Sequence, residues 1–383
     1  MSREIMTEFA QLTGLSPTGE VLRRYLWTDA FAVCNFLELY GQRSDEKYKH
    51  LALRLVDQVH HILGRHREDD PRTSWISGLD EREGKRHPTK GGLRIGKEMN
   101  ERRPTDPFDE RLEWDRDGQY YHYLTKWMHA LNRVSRVTGD STYNTWAMEL
   151  AKTAHARFTY GPSSGGQKHM YWKMSIDLSD PLVPSMGHHD PLDGFITYNQ
   201  LQATAAKDSK KSERVDLKAE IADMANICKG KNWVTDDPLG IGGLLGDAYK
   251  VAQLIIHRYF EQTDLLEILL DSSLPGLESY AKKNPLKLPA DDRLAFRELG
   301  LSIGLRAVER LRGLIEENQG LFDKKLRLHS RIESLMRYTS FSEVIEMFWL
   351  ENANREAESW REHRDINMVM LATSLAPDGY LTL

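Results

Sequence analysis

The sequence predicts an all-α fold built from helical hairpins with long loops at one end. Apolar segments with helical spacing come in pairs, and the link within each pair is short and polar. Between pairs the links are long, and they hold most of the conspicuous Trp, Gly, Pro, His and Asp residues. Short turns would join neighbouring helices, while long loops at the other end would be free to build a site. The short links are 42–45, 138–141, 207–209, 262–264 and 317–320.

An internal repeat supports the hairpins. A shift of 95 positions aligns Asp45 with Asp140 and His60 with His155, with further matches between them at helical spacing. An Asp before an apolar periodic segment is a typical N-cap, so each copy predicts a helix, a tight turn and a second helix. The expected pairs are 28–41 with 45–63, 119–137 with 141–158, 193–206 with 213–228, 244–260 with 264–282, 291–314 with 321–338, and 364–375 with 3–13. Short strand signals occur near 74–77, 93–96 and 171–176.

Length and composition favour one large domain. The chain has 383 residues, of which 40% are hydrophobic, and a net charge of -5, so it can bury a large core. We expect a single domain over 1–383 with a long insertion loop at 66–118. We interpret this loop as a partly ordered flap over the site, with an oligomer contact or a disordered insertion as alternatives. The mixed charges argue against a nucleic-acid partner.

Targeting signals and cysteines indicate a cytoplasmic protein. The first residues carry charges where a signal peptide needs an apolar run, and no segment approaches about 18 uninterrupted apolar residues. Cys34 and Cys228 lie in apolar helical patterns, which favours buried thiols over a disulfide or a metal pair. We therefore expect no membrane partner, and we leave homo-oligomerisation open.

The segments that precede the first helices carry aromatic and acidic residues. Aromatic faces stack on sugar rings, and carboxylates bind hydroxyls and move protons, so this composition indicates a saccharide site. The plainer alternative is that each Asp is an N-cap. The candidates are Trp27 and Asp29 before the first helix, Glu113, Trp114, Asp115, Gln119 and His122 before the second, and His188, His189, Asp190 and Asp193 before the third.

Motifs for other chemistries are lacking. The His188-His189-Asp190 run invites a metal interpretation, but no spacing matches HExxH or paired CxxC. There is no GxSxG, and the glycines at 240–246 follow no strand signal, so they are not a dinucleotide or phosphate loop. We expect neither a metal nor a cofactor.

Six hairpins that close through the two chain ends resemble the six-hairpin glycosidase superfamily, the (α/α)6 toroid. The resemblance covers nearly the whole chain and rests on architecture and repeat rhythm, without the catalytic motif of a member family. It implies six inner helices, six outer helices that run back, and a site where the long loops enter the inner helices. A solenoid of stacked hairpins is the structural alternative.

The leading functional hypothesis is a glycoside hydrolase that acts on a small or unsaturated saccharide. One carboxyl with a raised pKa would protonate the leaving oxygen, and a second carboxylate would activate water. The alternatives are a sugar epimerase or isomerase with histidine proton carriers such as His188, His189 or His363, and a non-catalytic binding or scaffold protein. The catalytic candidates are Asp29, Asp115, Asp190 and Asp193, and the substrate-binding candidates are Trp27, Glu113, Trp114, Gln119, His122, His188 and His189.

Overall fold

The structure is a computed structural model that describes every residue except 18, 20–21, 104, 163–165, 208–214, 261–262 and 323–325. It is 67% helical with few strands, so the predicted all-α fold class is confirmed. The chain divides into two compact units. The N-terminal unit is Ala10–Gly230, and the C-terminal unit combines Met1–Phe9 with Lys231–Leu383. The single domain over 1–383 stays a prediction.

The N-terminal unit contains three of the predicted hairpins. The short link after residue 207 and the start of the helix predicted at 213–228 fall at 208–214, outside the described residues. After α1 (Ser2–Leu12) the helices are α2 (Leu26–Arg43), α3 (Glu46–Leu63), α4 (Glu81–Arg86), α5 (Glu110–Asp115), α6 (Tyr121–Thr138), α7 (Ser141–Phe158), α8 (Asp190–Lys207) and α9 (Lys218–Cys228). The strands are β1 (Gln119–Tyr120), β2 (Thr159–Tyr160), β3 (His169–Met170), β4 (Lys173–Met174) and β5 (Pro181–Val183). All strand pairs are antiparallel, with β4 between β1 and β5, and β2 beside β3.

The first two hairpins close through the same local device. Ser44 and Gly139 adopt left-handed conformations after α2 and α6, with φ values of 53° and 75°. The next residue is the N-cap of the outer helix: Asp45 accepts the N–H of Lys47 at 3.0 Å, and Asp140 accepts that of Thr142 at 2.9 Å. A left-handed C-cap followed by an acidic N-cap turns the chain back in two residues. The repeat read from the sequence is therefore confirmed.

Packing in this unit follows the predicted order of inner and outer helices. Helix α2 packs against α3 and α6, α6 against α7 and α8, and α8 against α9. Large apolar side chains such as Phe36, Trp127 and Leu201 are fully buried along the first helices of the pairs. Helices α2, α6 and α8 thus form the inner layer of the unit.

The long connection 66–118 is ordered against the starts of α2 and α6. Four of its apolar side chains are buried: Trp75, Ile76, Leu93 and Ile95. The Ile95 carbonyl accepts the N–H of Leu26 at 3.0 Å, and the Ile95 N–H donates to Gly118 O at 2.8 Å. The described part of this connection therefore lies at the end of the unit where the inner helices begin.

The C-terminal unit holds the remaining pairs and further helices that were not predicted, at Ser340–Leu350, Asn352–Arg355, Glu358–Glu362 and Asp378–Leu381. The link at 261–262 lies outside the described residues, and short 3-10 turns occupy Pro285–Lys287 and Ala290–Asp292. The helices are α10 (Pro238–Ile256), α11 (Thr263–Lys283), α12 (Ala295–Glu317), α13 (Gln319–Phe322), α14 (Leu326–Met336), α15 (Ser340–Leu350), α16 (Asn352–Arg355), α17 (Glu358–Glu362), α18 (Arg364–Leu375) and α19 (Asp378–Leu381).

The first residues of the chain lie in this unit, while the packing of the N-terminal helix along α18 stays a prediction. Met1–Phe9 belongs to this unit, and the Ser2 hydroxyl donates to Ala372 O of α18 at 3.3 Å.

Helix α10 is the one described helix long and apolar enough to cross a membrane, and 72% of its apolar window is buried inside the protein. That burial is the environment of a core helix. Both cysteines are thiols, Cys34 buried and Cys228 half-buried.

Candidate active site

Three inner helices of the N-terminal unit begin side by side. The Trp27 ring near the start of α2 lies 5.9 Å from the His122 ring near the start of α6. His122 Nδ1 in turn lies 3.7 Å from Oδ1 of Asp190, the first residue of α8. Gln119 and Tyr120 form β1, which pairs with β4, and α6 begins at the next residue. Pro191 suits the first turn of α8, where its missing N–H is no loss. Candidates from three separate sequence segments therefore meet.

His122 and Asp190 form an acid–base pair without a hydrogen bond between them, in which Asp190 is buried and His122 is half-buried. The separation of 3.7 Å exceeds hydrogen-bond distance. Asp190 is 4% exposed. Its Oδ2 atom and His122 Nδ1 are both buried without a hydrogen-bond partner among the described residues. A buried polar atom that lacks a hydrogen-bond partner costs folding free energy. Such atoms are typical of functional sites.

Burial keeps both groups uncharged near neutral pH. It raises the pKa of Asp190 to about 8, with a further increase from the Asp193 charge and a decrease from Lys126. Burial also lowers the pKa of His122 to about 4, while the Asp193 charge opposes this shift and Lys126 adds to it. Between these values Asp190 is a carboxylic acid that can donate a proton, and His122 is a neutral imidazole that can accept one.

Lys126 compensates the second carboxylate of α8. Its Nζ atom lies 2.7 Å from both carboxylate oxygens of Asp193, and the Thr125 hydroxyl lies 3.3 Å from Oδ2. His122 and Lys126 are four residues apart on α6, and Asp190 and Asp193 are three apart on α8, so each pair lies on one helix face. The two faces match His122 with Asp190 and Lys126 with Asp193.

Further polar contacts fix how α6 sits against α8. His129 Nδ1 lies 3.0 Å from Gln200 Oε1, and the Asn132 amide donates to the Thr204 hydroxyl at 2.8 Å. Held by these contacts, α6 and α8 have little freedom to slide or rotate against each other. The contacts hold the helix starts in the register that sets the distance between His122 and Asp190.

Aromatic rings enclose His122. We call Tyr25, Trp27, Tyr120 and Tyr123 the aromatic wall. The Tyr120 ring is stacked on His122 at 5.5 Å, and the Tyr123 ring meets its edge at 4.8 Å. The Tyr25 and Tyr123 hydroxyls are hydrogen-bonded at 2.8 Å. The His122 side chain is still 25% exposed. Such a wall offers flat apolar faces beside polar tips, as a sugar ring requires.

Asp29 is held at the start of α2. Arg24 Nη1 lies 3.3 Å from its Oδ1, and the N–H of Tyr25 donates to its Oδ2 at 3.0 Å. Both charged side chains are almost fully buried. A carboxylate that receives its own helix N-cap N–H and a buried guanidinium stabilises the start of the helix. A catalytic role for Asp29 stays a prediction.

The candidates around 113–119 take varied positions. Glu113 is fully buried with Arg102 Nε 2.6 Å from its Oε1, whereas Asp115 is exposed. The Gln119 amide is also buried, bonded to Leu93 N–H at 2.8 Å and Ile176 O at 2.6 Å. These contacts make Gln119 an anchor of the loops. The Trp114 ring meets Tyr120 at 6.2 Å and Trp172 at 4.9 Å, which extends the aromatic wall.

The two histidines before α8 differ in position. His188 is exposed and His189 is half-buried, with their rings 4.8 Å apart. The His189 carbonyl accepts the N–H of Asp193 at 2.9 Å. Within the described residues, no group of three or more His, Cys, Asp or Glu side chains is placed to hold a metal ion. Lys126 was not among the predicted site residues, although its spacing from His122 puts both on one helix face.

The candidate site thus combines a neutral carboxyl and a neutral imidazole with an aromatic wall. Neither a family model nor a curated protein matches the chain. Among solved structures, it is similar to a sugar epimerase from a ruminal bacterium (TM-score 0.49, 9% identity, 98% of this chain and 97% of that one). It is also similar to cellobiose 2-epimerases from Spirochaeta thermophila (TM-score 0.49, 13% identity, 97% of both chains) and Bacillus thermoamylovorans (TM-score 0.45, 10% identity, 83% and 76%).

Proposed function

We propose that this protein is a sugar epimerase or isomerase that moves a proton at the carbon next to the carbonyl of a reducing sugar. The observation that carries the proposal is the pair formed by His122 and Asp190. A neutral base and a neutral acid lie 3.7 Å apart beside the aromatic wall. Proton abstraction next to a carbonyl needs this combination, because one group takes the carbon-bound proton while the other protonates the carbonyl oxygen.

The reaction starts from the open-chain aldehyde. His122 removes the proton from C2, the C2–H electron pair forms the C1=C2 bond, and Asp190 gives its proton to O1 to complete an enediol. The enediol then rotates, protonated His122 returns the proton to the opposite face of C2, and O1 gives its proton back to the Asp190 carboxylate, which yields the 2-epimer. Return of the proton to C1, with loss of the O2 proton to the Asp190 carboxylate, gives the ketose. The electrons stay in the sugar, so the balance requires neither oxidant nor reductant.

Hydrolysis fits the N-terminal unit less well. It requires an acid and a second carboxylate on opposite sides of the bond that breaks. Asp190 could supply the acid. Among the other catalytic candidates, Asp193 is paired with Lys126 and Asp29 with Arg24, while Asp115 is exposed. The position of Asp190 beside a neutral imidazole therefore supports the epimerase or isomerase over the glycoside hydrolase.

Product analysis tests the proposal. The protein is incubated with a panel of reducing mono- and disaccharides, and the products are separated by chromatography and identified by NMR. We expect the 2-epimer or the ketose of one sugar, without cleavage. The His122→Asn variant should lose this activity. The His61→Asn control replaces a partly exposed histidine of the outer helix α3 and should keep it. Cleavage of a disaccharide, or no product from any sugar, would contradict the proposal.

The proposal extends to the ligand, the location and the superfamily of the protein. A small saccharide is the proposed ligand, the cytoplasm the proposed location, and the six-hairpin glycosidase-like superfamily the proposed membership. The aromatic wall supports the saccharide, since its rings and the Tyr25 and Tyr123 hydroxyls combine apolar and polar contacts.

A further inference from the structure

The Asp190 carboxyl lies against a glycine. A Cβ atom built on Gly187 would have as its three nearest neighbours the carboxyl atoms of Asp190, with 2.5 Å to Cγ and 2.6 Å to Oδ1. Real side chains essentially never approach so closely. The space that a side chain at position 187 would need is therefore occupied by the proposed acid.

We propose that Gly187 is a positioning residue, which keeps the Asp190 carboxyl turned toward His122 because it has no side chain. The effect of Gly187 on catalysis rests on the proposed function, whereas its effect on the position of the Asp190 carboxyl rests on the geometry alone. Gly187 precedes α8, and its carbonyl accepts the N–H of Asp190 at 3.3 Å, so the two residues form one turn.

A glycine is needed at position 187 because there is no room for a side chain, and not because of the backbone conformation. Gly187 is not among the glycines with a positive φ, so its conformation does not exclude other residues. Asp190 Oδ2 has no hydrogen-bond partner among the described residues, so no bond would hold the carboxyl in place against a methyl group. A Gly187→Ala substitution should therefore turn the carboxyl away from its present position while the helix still forms.

The first experiment compares rates in a double-mutant cycle. We expect Gly187→Ala to lower kcat/KM by about 10- to 100-fold, because misplacement of a reacting group by an ångström costs that much. In the Asp190→Asn background the same substitution should have no further effect, because the group through which Gly187 acts is already lost. Gly41→Ala on α2, where the added Cβ meets no atom within 4 Å, is the matched control. Equal effects of Gly187→Ala in both backgrounds would overturn the proposal.

The second experiment does not depend on turnover. Infrared difference spectra at neutral pH identify the C=O stretch of protonated Asp190 as the band that disappears in Asp190→Asn. Gly187→Ala should shift this band and Gly41→Ala should not. A shifted band in a protein without sugar activity would sink the proposed function but keep the positioning role. An unchanged band in Gly187→Ala would overturn the positioning role, whatever the activity.

A third variant covers a failure to fold. If Gly187→Ala does not fold, the proposal attributes the failure to the clash with the Asp190 carboxyl. The Gly187→Ala/Asp190→Ala double variant, which has no carboxyl at 190, should then regain the melting temperature of Asp190→Ala alone. A double variant that still fails to fold would show that Gly187 acts on something other than Asp190, which contradicts the proposal.

Discussion

The Asp190 carboxyl and the His122 imidazole lie 3.7 Å apart at the adjoining starts of α8 and α6, and burial keeps both uncharged over the same pH range. An ordinary Asp–His pair near neutral pH would carry two charges. Here burial favours the neutral forms, so an unionised carboxyl and an unprotonated imidazole lie side by side.

Asp190→Asn should make the protein more stable at high pH. Folding raises the pKa of Asp190 from 3.8 to about 8, so above pH 3.8 the unfolded chain releases a proton that the folded protein keeps. The stability that this proton contributes is full below pH 3.8 and is lost as the pH rises to 8. Asn carries no such proton. The variant should gain stability over the native protein between pH 4 and 8, by about 2–5 kcal/mol at the upper end.

Urea unfolding of both proteins at pH 4, 6 and 8 measures this gain. A difference in unfolding free energy that stays constant across these values would contradict the buried neutral acid.

The rate should depend on pH with two limbs. His122 must be neutral and Asp190 protonated, so kcat/KM should be highest between about pH 4 and pH 8. The Lys126 charge lowers the pKa of both groups, so Lys126→Met should move both limbs to higher pH. Lys152→Met, which removes a lysine paired with Glu220 at 2.8 Å, is the control. Steady-state kinetics across the pH range would refute this explanation if Lys126→Met moved a limb downward.

Asp29→Asn should behave in the opposite way to Asp190→Asn. It leaves the buried Arg24 guanidinium without its charged partner and weakens the bond to the Tyr25 N–H. Loss of one partner of a buried ion pair costs about 3–5 kcal/mol. Thermal and urea unfolding should show a clear loss of stability. A variant with native stability and no activity would return Asp29 to the list of catalytic residues.

Phe9→Ala should destabilise the C-terminal unit. Phe9 is fully buried and belongs to the segment Met1–Phe9 that forms part of this unit. Removal of a buried Phe side chain typically costs about 3–5 kcal/mol. Hydrogen exchange should show faster exchange of α18 amides in the variant. Unchanged exchange in α18 would mean that the N-terminal helix does not support the other end of the chain.

Much of the fold was predictable from local signals. Asp45 and Asp140 mark their helices through caps that depend only on neighbouring residues. The start of α10 was placed too late, because its glycines disfavour a helix on propensity alone. Gly242 lies where α10 and α12 approach closely, since a Cβ on Gly304 would be 2.5 Å from its Cα. Such an approach cannot be read from one segment.

The site was predictable only in part. The sequence pointed to the helix openings, and Trp27, His122 and Asp190 do meet. It could not say that His122 faces Asp190 while Lys126 faces Asp193. That depends on how α6 and α8 are rotated about their axes, which contacts distant in sequence decide. The ion pair between Asp29 and Arg24 joins residues only five positions apart in the sequence, so the basic residue before Asp29 could have suggested it.

Exchange of the C2 proton with solvent tests the central claim most directly. The protein is incubated in D2O with the sugar that it converts, and the C2–H signal is followed by NMR. If His122 abstracts this proton, the signal should disappear with the native protein and with His61→Asn, and persist with His122→Asn. Conversion without any deuterium at C2, or equal exchange by His122→Asn, would contradict the account of His122 and Asp190 as the proton-transfer pair.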